Sequence, residues 1–181
     1  MATITFNDEI CDESYATFEQ KMNEALEKEQ DLTIYICTGG GEFCLSQNMT
    51  DIINNYPYYV EVIFSGWVFS AGMYILTNLD YTLVDVNLTE ATEGMVHLAD
   101  MHLSSRGFKD EDSYSSFAKK NEHIINESYL KNIKRFMTEK EMRVVNKGKE
   151  VYLNHDRLAQ IIETLSKEAE EKLNSEELSD E

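Results

Sequence analysis

The chain has 181 residues, which fits one domain with a substantial core and leaves little room for two. Hydrophobic residues make up 42% of it, but 34 acidic against 16 basic residues give a formal net charge of −18. This charge argues against nucleic acid and anionic membranes as partners. No apolar stretch reaches the roughly 20 residues of a transmembrane helix. The start, MATITFNDEI, lacks signal-peptide features, so we expect a cytoplasmic protein.

The cysteines and histidines do not form a recognisable metal-binding pattern. Cys11, Cys37 and Cys44 contain no C-x-x-C pair, and an odd number in a reducing compartment predicts buried thiols over disulfides. The histidines stand apart from any cysteine pair: His97, His102, His123 and His155. We therefore predict no metal and no cofactor.

The first hundred residues predict an alternation of strands and helices. In chain order, we expect a strand at 3–6, a helix at about 14–28 capped by Asp12 or Ser14, a strand at 32–37, a helix at about 46–54, a strand at 59–64 that ends before Ser65-Gly66, a helix after Ser70, and strands at 81–86 and 95–98. The run at 32–37, LTIYIC, is typical of a strand buried in a parallel sheet. The alternation indicates an α/β fold.

The second half of the chain is predominantly helical. Apolar residues keep a 3.6-residue period from 113 to 136, which predicts one long helix. Thr138 and Glu141 form a capping-box pattern that starts a short helix running to about residue 145. Asn154 can cap a last helix that runs to about residue 174, before an acidic tail.

Three features indicate chemistry at a serine. Ser70 lies in Gly66-Trp67-Val68-Phe69-Ser70-Ala71-Gly72, at a predicted strand-to-helix turn where helix amides favour negative charge. The triplet Gly39-Gly40-Gly41 ends a strand and can offer backbone N–H groups, and His97 is a candidate base on an apolar strand. Each has an ordinary structural interpretation as well: a helix-capping serine, a flexible turn and a core histidine.

In combination, these motifs resemble those of the ClpP family, the proteolytic subunits of Clp protease. The family's I-N-S-P-G-G turn, G-x-x-x-S-M-G elbow and M-I-H-Q-P strand are similar to Ile36–Gly41, Gly66–Gly72 and Met95-Val96-His97. The family's aspartate before an F-[LM]-[ST] segment aligns with Asn146, ahead of Tyr152-Leu153-Asn154. The resemblance covers about residues 4–154, with similar spacing between the motifs.

The resemblance implies a serine-type endopeptidase and assigns roles to five residues. Ser70 is the expected nucleophile, His97 the general base and Asn146 the third triad member, with the N–H groups of Gly41 and Ala71 as the oxyanion hole. Asn146 can orient an imidazole but lacks the negative charge of aspartate, so we expect weakened activity. In another register Asp156 or Glu150 takes its place, and His102 is a second candidate for the base.

The resemblance also implies an architecture and an assembly. The fold is the ClpP/crotonase-like arrangement of repeated ββα units with a protruding handle helix. We expect a peptidase domain at residues 1–154, with the handle at about 104–145, and a C-terminal helix and acidic tail at 155–181. Peptides or unfolded proteins are the implied substrates, cleaved inside a ring-shaped homo-oligomer that is heptameric or stacked as a double ring. An AAA+ unfoldase is the implied partner, although the family's axial segment before the first strand has no counterpart here.

Two alternatives remain open at this stage. One is a catalytically silent ClpP-like subunit with a role in assembly or binding. Asn146 and the proline-free turn at Gly39 favour this alternative. The other is a crotonase-type acyl-CoA enzyme, which shares the fold and the two-amide oxyanion hole. A serine at a helix start, a strand histidine and the few basic residues for binding CoA phosphates weigh against it.

Overall fold

The structure is a computed structural model that describes residues 1–98 and 111–177. The chain divides into two compact units, one formed by Met1–Val96 with Tyr152–Glu181, the other by His97–Val151. The strands are β1 (Ala2–Asn7), β2 (Leu32–Thr38), β3 (Val60–Phe69), β4 (Val84–Leu88), β5 (Glu93–Val96) and β6 (Val151–Leu153). The helices are α1 (Asp12–Glu27), α2 (Phe43–Asn54), α3 (Ala71–Asn78), α4 (Glu111–Ile133), α5 (Glu139–Val145) and α6 (His155–Glu177). This alternation confirms the α/β prediction.

The first unit is built on a sheet whose strand order is β1-β2-β3-β5-β6, with β4 also paired to β3. The pairs β1–β2, β2–β3, β3–β4 and β3–β5 are parallel. Alternate residues of β2, Leu32, Ile34 and Ile36, are fully buried. A parallel sheet needs helical crossovers to cover its face, and α1 and α2 supply them between the first three strands.

The strand β3 changes partner part-way along its length. Its first half, from Val60 to Phe64, pairs with β4, and its last three residues pair with β5. The register against β2 shifts between Ile36 and Thr38, and Gly66 at this irregularity has φ +66°. The predicted end of this strand before Ser65-Gly66 is thus wrong: Gly66 lies at a bulge inside a strand that continues to Phe69.

The helices α3 and α6 lie on the same face of the sheet. A methyl group on Gly94 of β5 would lie 2.9 Å from Met73 Sδ of α3 and 2.8 Å from Leu158 Cδ2 of α6. Leu158, Ile161 and Leu165 bury one side of the first half of α6. The predicted last helix is thus confirmed, with the first half of one side packed in the core.

Helix starts are partly as predicted. Thr138 and Glu141 form the capping box, with Glu141 N–H donating to Thr138 Oγ1 at 3.2 Å and Thr138 N–H donating to Glu141 Oε2 at 2.6 Å. Asn154 Oδ1 accepts from Arg157 N–H at 3.0 Å. For α1 the predicted caps are wrong, because the N-cap is Cys11 and Ser14 Oγ accepts from its N–H at 3.1 Å.

One further prediction needs correction, and one strand was not predicted. The prediction of three buried thiols is wrong for Cys44, which is exposed near the start of α2, while Cys11 and Cys37 are half-buried. The short strand β6 was not predicted, because three residues carry too little periodicity to indicate a strand.

The second unit contains α4 and α5. Tyr129, Ile133, Phe136 and Met137 are buried near the end of α4, with Val145 from α5. Earlier in α4, Phe117 and Ile124 are 49% and 53% exposed, seven residues apart on one side of the helix. The predicted long helix is present but ends at Ile133, three residues before Phe136. In residues 1–98 and 111–177, no helix combines the length and hydropathy that crossing a membrane requires.

Candidate active site

Ser70 occupies the turn between β3 and α3 in an unusual backbone conformation. Its φ of 52° and ψ of −113° lie where residues with a side chain are rarely found. Such conformations cost on the order of 1–3 kcal/mol and cluster at functional sites. A strained strand-to-helix turn of this kind lifts the side chain of its central serine out of the backbone.

Backbone hydrogen bonds on both sides fix this turn. Ser70 N–H donates to Met95 O of β5 at 2.8 Å, and Ser70 C=O accepts from Met73 N–H at 3.0 Å. The side chain of Ser70 makes no capping hydrogen bond to α3. The interpretation of Ser70 as an ordinary capping serine therefore does not fit the structure, since the geometry leaves the side chain out of the helix cap.

The glycine turn packs directly against Ser70. Gly40 is buried with φ +100°, and a methyl group there would lie 2.8 Å from Ser70 Cβ, 2.9 Å from Phe69 O and 3.3 Å from Ala71 N. Gly41 follows with φ +136°. Both positions require glycine, so the segment is a tightly packed turn and not merely a flexible one.

Hydrogen bonds flank Gly41 without using its N–H group. Gly40 O accepts from Ile10 N–H at 2.8 Å, and Glu42 N–H donates to Ile10 O at 2.8 Å, so Gly41 forms a parallel bridge with Ile10. In such a bridge the N–H of the central residue points away from the paired strand. Among the described residues, neither Gly41 N–H nor Ala71 N–H donates a hydrogen bond. Gly40, the neighbour of Gly41, thus packs against the turn that contains Ser70 and Ala71.

Gly72 has a packing role. A methyl group at this position would lie 2.6 Å from Thr38 Cγ2, and Gly72 is buried. Thr38 also accepts a hydrogen bond from Gly40 N–H at its Oγ1, at 3.1 Å. Thr38 therefore supports both the glycine turn and the helix start, a role that the sequence did not indicate.

His97 and Asn146 belong to the second unit. His97 is half-buried and directly follows β5, so the prediction that it lies within a strand at 95–98 is wrong: the observed strand ends at Val96. Asn146 is the exposed C-cap of α5, with its N–H donating to Met142 O at 2.9 Å. Of the five expected residues, Ser70, Gly41 and Ala71 thus lie in the first unit, and His97 and Asn146 lie in the second.

The alternative triad members have other surroundings. Asp156 Oδ1 lies 3.6 Å from His155 Nδ1 at the start of α6, and Glu150 is exposed between α5 and β6. His102 lies outside the described residues. Within residues 1–98 and 111–177, no group of three or more His, Cys, Asp or Glu side chains is placed to hold a metal ion.

An aromatic cluster next to Ser70 was not identified from the sequence. Trp67 and Phe69, two residues apart on β3, stack with centroids 6.0 Å apart, and Phe69 meets Tyr152 edge-on at 6.0 Å. Trp67 and Tyr152 are 61% and 64% exposed. Exposed aromatic rings in contact with each other are typical of interaction surfaces.

A comparison with family models decides the classification. The model of the Clp protease family matches residues 1–142. The chain belongs to the Clp protease family. Its fold is also similar to the solved structure of an Asn-to-Asp variant of ClpP1 from Listeria monocytogenes, with a TM-score of 0.69 and 18% sequence identity over 88% of this chain and 86% of the other. A search of curated proteins found no match.

The strain at Ser70 in this Clp-family protein predicts a stability difference between two substitutions. Ser70→Gly relieves the positive φ, so we expect a free energy of unfolding about 1 kcal/mol higher than that of Ser70→Ala, which keeps the strain. Urea unfolding of the two variants measures the difference. A glycine variant no more stable than the alanine variant would contradict the strained turn.

The glycine turn predicts unequal effects of alanine on stability at the neighbouring positions 39 and 40. Gly40→Ala places a methyl group within 2.9 Å of Ser70 Cβ and Phe69 O. A methyl group on Gly39 would have no atom within 4 Å. We expect Gly40→Ala to lower the free energy of unfolding by about 1–3 kcal/mol and Gly39→Ala to change it by less than about 0.5 kcal/mol. Thermal unfolding measures both, and equal effects would contradict this packing.

Proposed function

We propose that the protein is a serine peptidase of the ClpP type in which Ser70 is the nucleophile. The observation that carries this proposal is the strained Ser70 turn, packed against Gly40 and flanked by the available amides of Gly41 and Ala71. A strained serine without a capping role, close to two N–H groups that donate no hydrogen bond among the described residues, suits acyl transfer. Membership of the Clp protease family supports the same chemistry.

In the proposed reaction, Ser70, His97 and the two backbone amides each have a separate role. Ser70 Oγ attacks the carbonyl carbon of a peptide bond while His97 accepts the hydroxyl proton. The tetrahedral oxyanion accepts hydrogen bonds from Gly41 N–H and Ala71 N–H, and each donor stabilises it by about 3–4 kcal/mol. His97 then donates the proton to the leaving amine, and water hydrolyses the acyl-enzyme in the reverse sequence.

Chain connectivity supports His97 as the base. Ser70 N–H bonds to Met95 O, and His97 follows Met95 by two residues at the end of β5. We assign Asn146 the task of accepting a hydrogen bond from the imidazole and fixing its tautomer. Because its amide is neutral, it does not stabilise the imidazolium as a carboxylate does, so we expect slow turnover.

Assembly into a ring of identical subunits is the second part of the proposal. Family membership supports it, and so do two exposed apolar surfaces: the aromatic cluster of Trp67, Phe69 and Tyr152, and the side of α4 with Phe117 and Ile124. Such a ring would enclose peptide or unfolded-protein substrates, and an unfoldase is its candidate partner. Native mass spectrometry gives the number of subunits directly.

Labelling with a fluorophosphonate probe tests the nucleophile. We expect covalent modification at Ser70 in the parent protein, and loss of labelling by more than about 100-fold in Ser70→Ala and in His97→Ala. Ser65→Ala, five residues earlier on β3, is the matched control and keeps the parent rate.

Three outcomes would contradict the peptidase. An absence of labelling in every oligomeric state would favour the catalytically silent subunit. Labelling that persists in His97→Ala would remove the base from the mechanism. Saturable binding of an acyl-CoA without any labelling would favour the crotonase alternative.

A negative charge at position 146 is expected to raise the rate at which the probe labels Ser70. Asn146→Asp supplies the carboxylate that stabilises the imidazolium, and we expect labelling of Ser70 to accelerate by between about tenfold and about 10⁴-fold. Asn121→Asp on α4 adds the same charge outside the proposed triad and is the control. A rate unchanged by Asn146→Asp, or raised equally by Asn121→Asp, would exclude Asn146 as the third member.

A further inference from the structure

A groove in the second unit differs in charge from most of the protein. It has a volume of about 670 Å³ and lies between the end of α4 and α5. Its lining combines apolar side chains with cations: Leu130, Met137 and Met142 with Lys131, Lys134 and Arg143, beside Glu139 and Asn146. A cavity of this size holds a bulky apolar side chain together with part of the segment that carries it.

The cations of this groove are concentrated in one part of the sequence. Residues 101–150 contain 11 of the 16 basic residues and 8 of the 34 acidic ones. Arg143 pairs with Glu139 at 3.1 Å, whereas neither Lys131 nor Lys134 pairs with a carboxylate among the residues the structure describes. Exposed lysines beside apolar surface attract an acidic partner that also presents an apolar side chain.

The end of α6 has the complementary character. Its buried stripe ends at Leu165, and beyond that point Leu173 is 46% exposed. Residues 166–177 contain five acidic and two basic residues. Glu170 and Glu171 are exposed, and Glu170 lies one turn before Leu173 on the same side of the helix.

This part of α6 gains little stability from packing. The ion pair of Lys167 Nζ with Glu163 Oε1 at 2.6 Å is exposed, and such pairs contribute little. Exposed helical turns owe most of their stability to a partner that covers an apolar side. A helix end with an exposed leucine among glutamates therefore fits a contact surface.

We propose that the acidic end of α6, with Leu173 at its centre, docks into the groove lined by Leu130, Met137 and Met142 on a second copy of this chain. Leu173 enters the apolar floor, while Glu170, on the same side of α6, faces Lys131 and Lys134. The contact joins copies through one positive and one negative surface, and it adds to the assembly proposed above without depending on the chemistry of Ser70.

Sedimentation equilibrium with charge-reversed variants tests this contact. In the Ser70→Ala background, Lys131→Glu with Lys134→Glu is expected to weaken association at least about tenfold at low salt, and less at 0.5 M salt. Glu170→Lys with Glu171→Lys is expected to do the same. Mixing the two reversed proteins restores the opposite charges and is expected to restore association to within about threefold of the parent.

Matched controls distinguish a specific contact from net charge. Lys21→Glu with Lys28→Glu makes the same change at α1, outside the groove, and Glu24→Lys with Glu27→Lys makes the opposite change there. Both pairs are expected to associate as the parent does. Equal weakening by the controls, a mixture that does not recover, or a parent protein that stays monomeric at all concentrations would each overturn the proposal.

Crosslinking provides a readout that does not require the copies to separate. In a Cys44→Ser background, Leu173→Cys and Lys134→Cys proteins, one of them ¹⁵N-labelled, are mixed and treated with a short bismaleimide. A crosslinked peptide pair with one labelled and one unlabelled member is expected. Crosslinks found only within one chain, or groove reversal that weakens binding of an acidic peptide substrate while association stays unchanged, would refute docking by a second copy.

Discussion

The site depends on the change of partner along β3. Up to Phe64 the strand pairs with β4, and after the irregularity at Gly66 it pairs with β5. This second pairing ends where Ser70 N–H bonds to Met95 O, so the chain must turn sharply into α3. The pairing with β5 and the turn into α3 together hold Ser70 at a positive φ. Gly40 packs against this turn. A conformation that costs free energy persists because two strands and a glycine turn determine it together.

The sequence predicted the elements well and the local geometry poorly. The α/β alternation was predicted from the periodicity of apolar residues within short segments. The capping box at Thr138 and the cap at Asn154 were predicted because their side chains lie next to the backbone atoms they bind. The continuation of β3 through Gly66 and the strand β6 depend instead on pairing with distant segments, which short windows of sequence do not contain. The resemblance of the motifs predicted a role for Ser70, but the strain at Ser70 and the support of the glycine turn by Ile10 and Thr38 are visible only in three dimensions.

The charge distribution matches the division of the chain into units. The first unit carries most of the acidic residues, while the basic residues are concentrated in the second, around α4 and α5. Copies with a net charge of −18 repel each other, so association favours contacts that bring opposite charges together. The second unit, with its cationic groove and the exposed Phe117 and Ile124 of α4, offers such a surface.

We propose that the Ser70 turn presents a nucleophile to the amides of Gly41 and Ala71. A crystal structure of the protein with a phosphonate bound to the serine tests it most directly. We expect a covalent bond from Ser70 Oγ to phosphorus and a phosphonyl oxygen within about 3 Å of both amide nitrogens. An adduct whose oxygen points to solvent, or a probe attached to another residue, would contradict it.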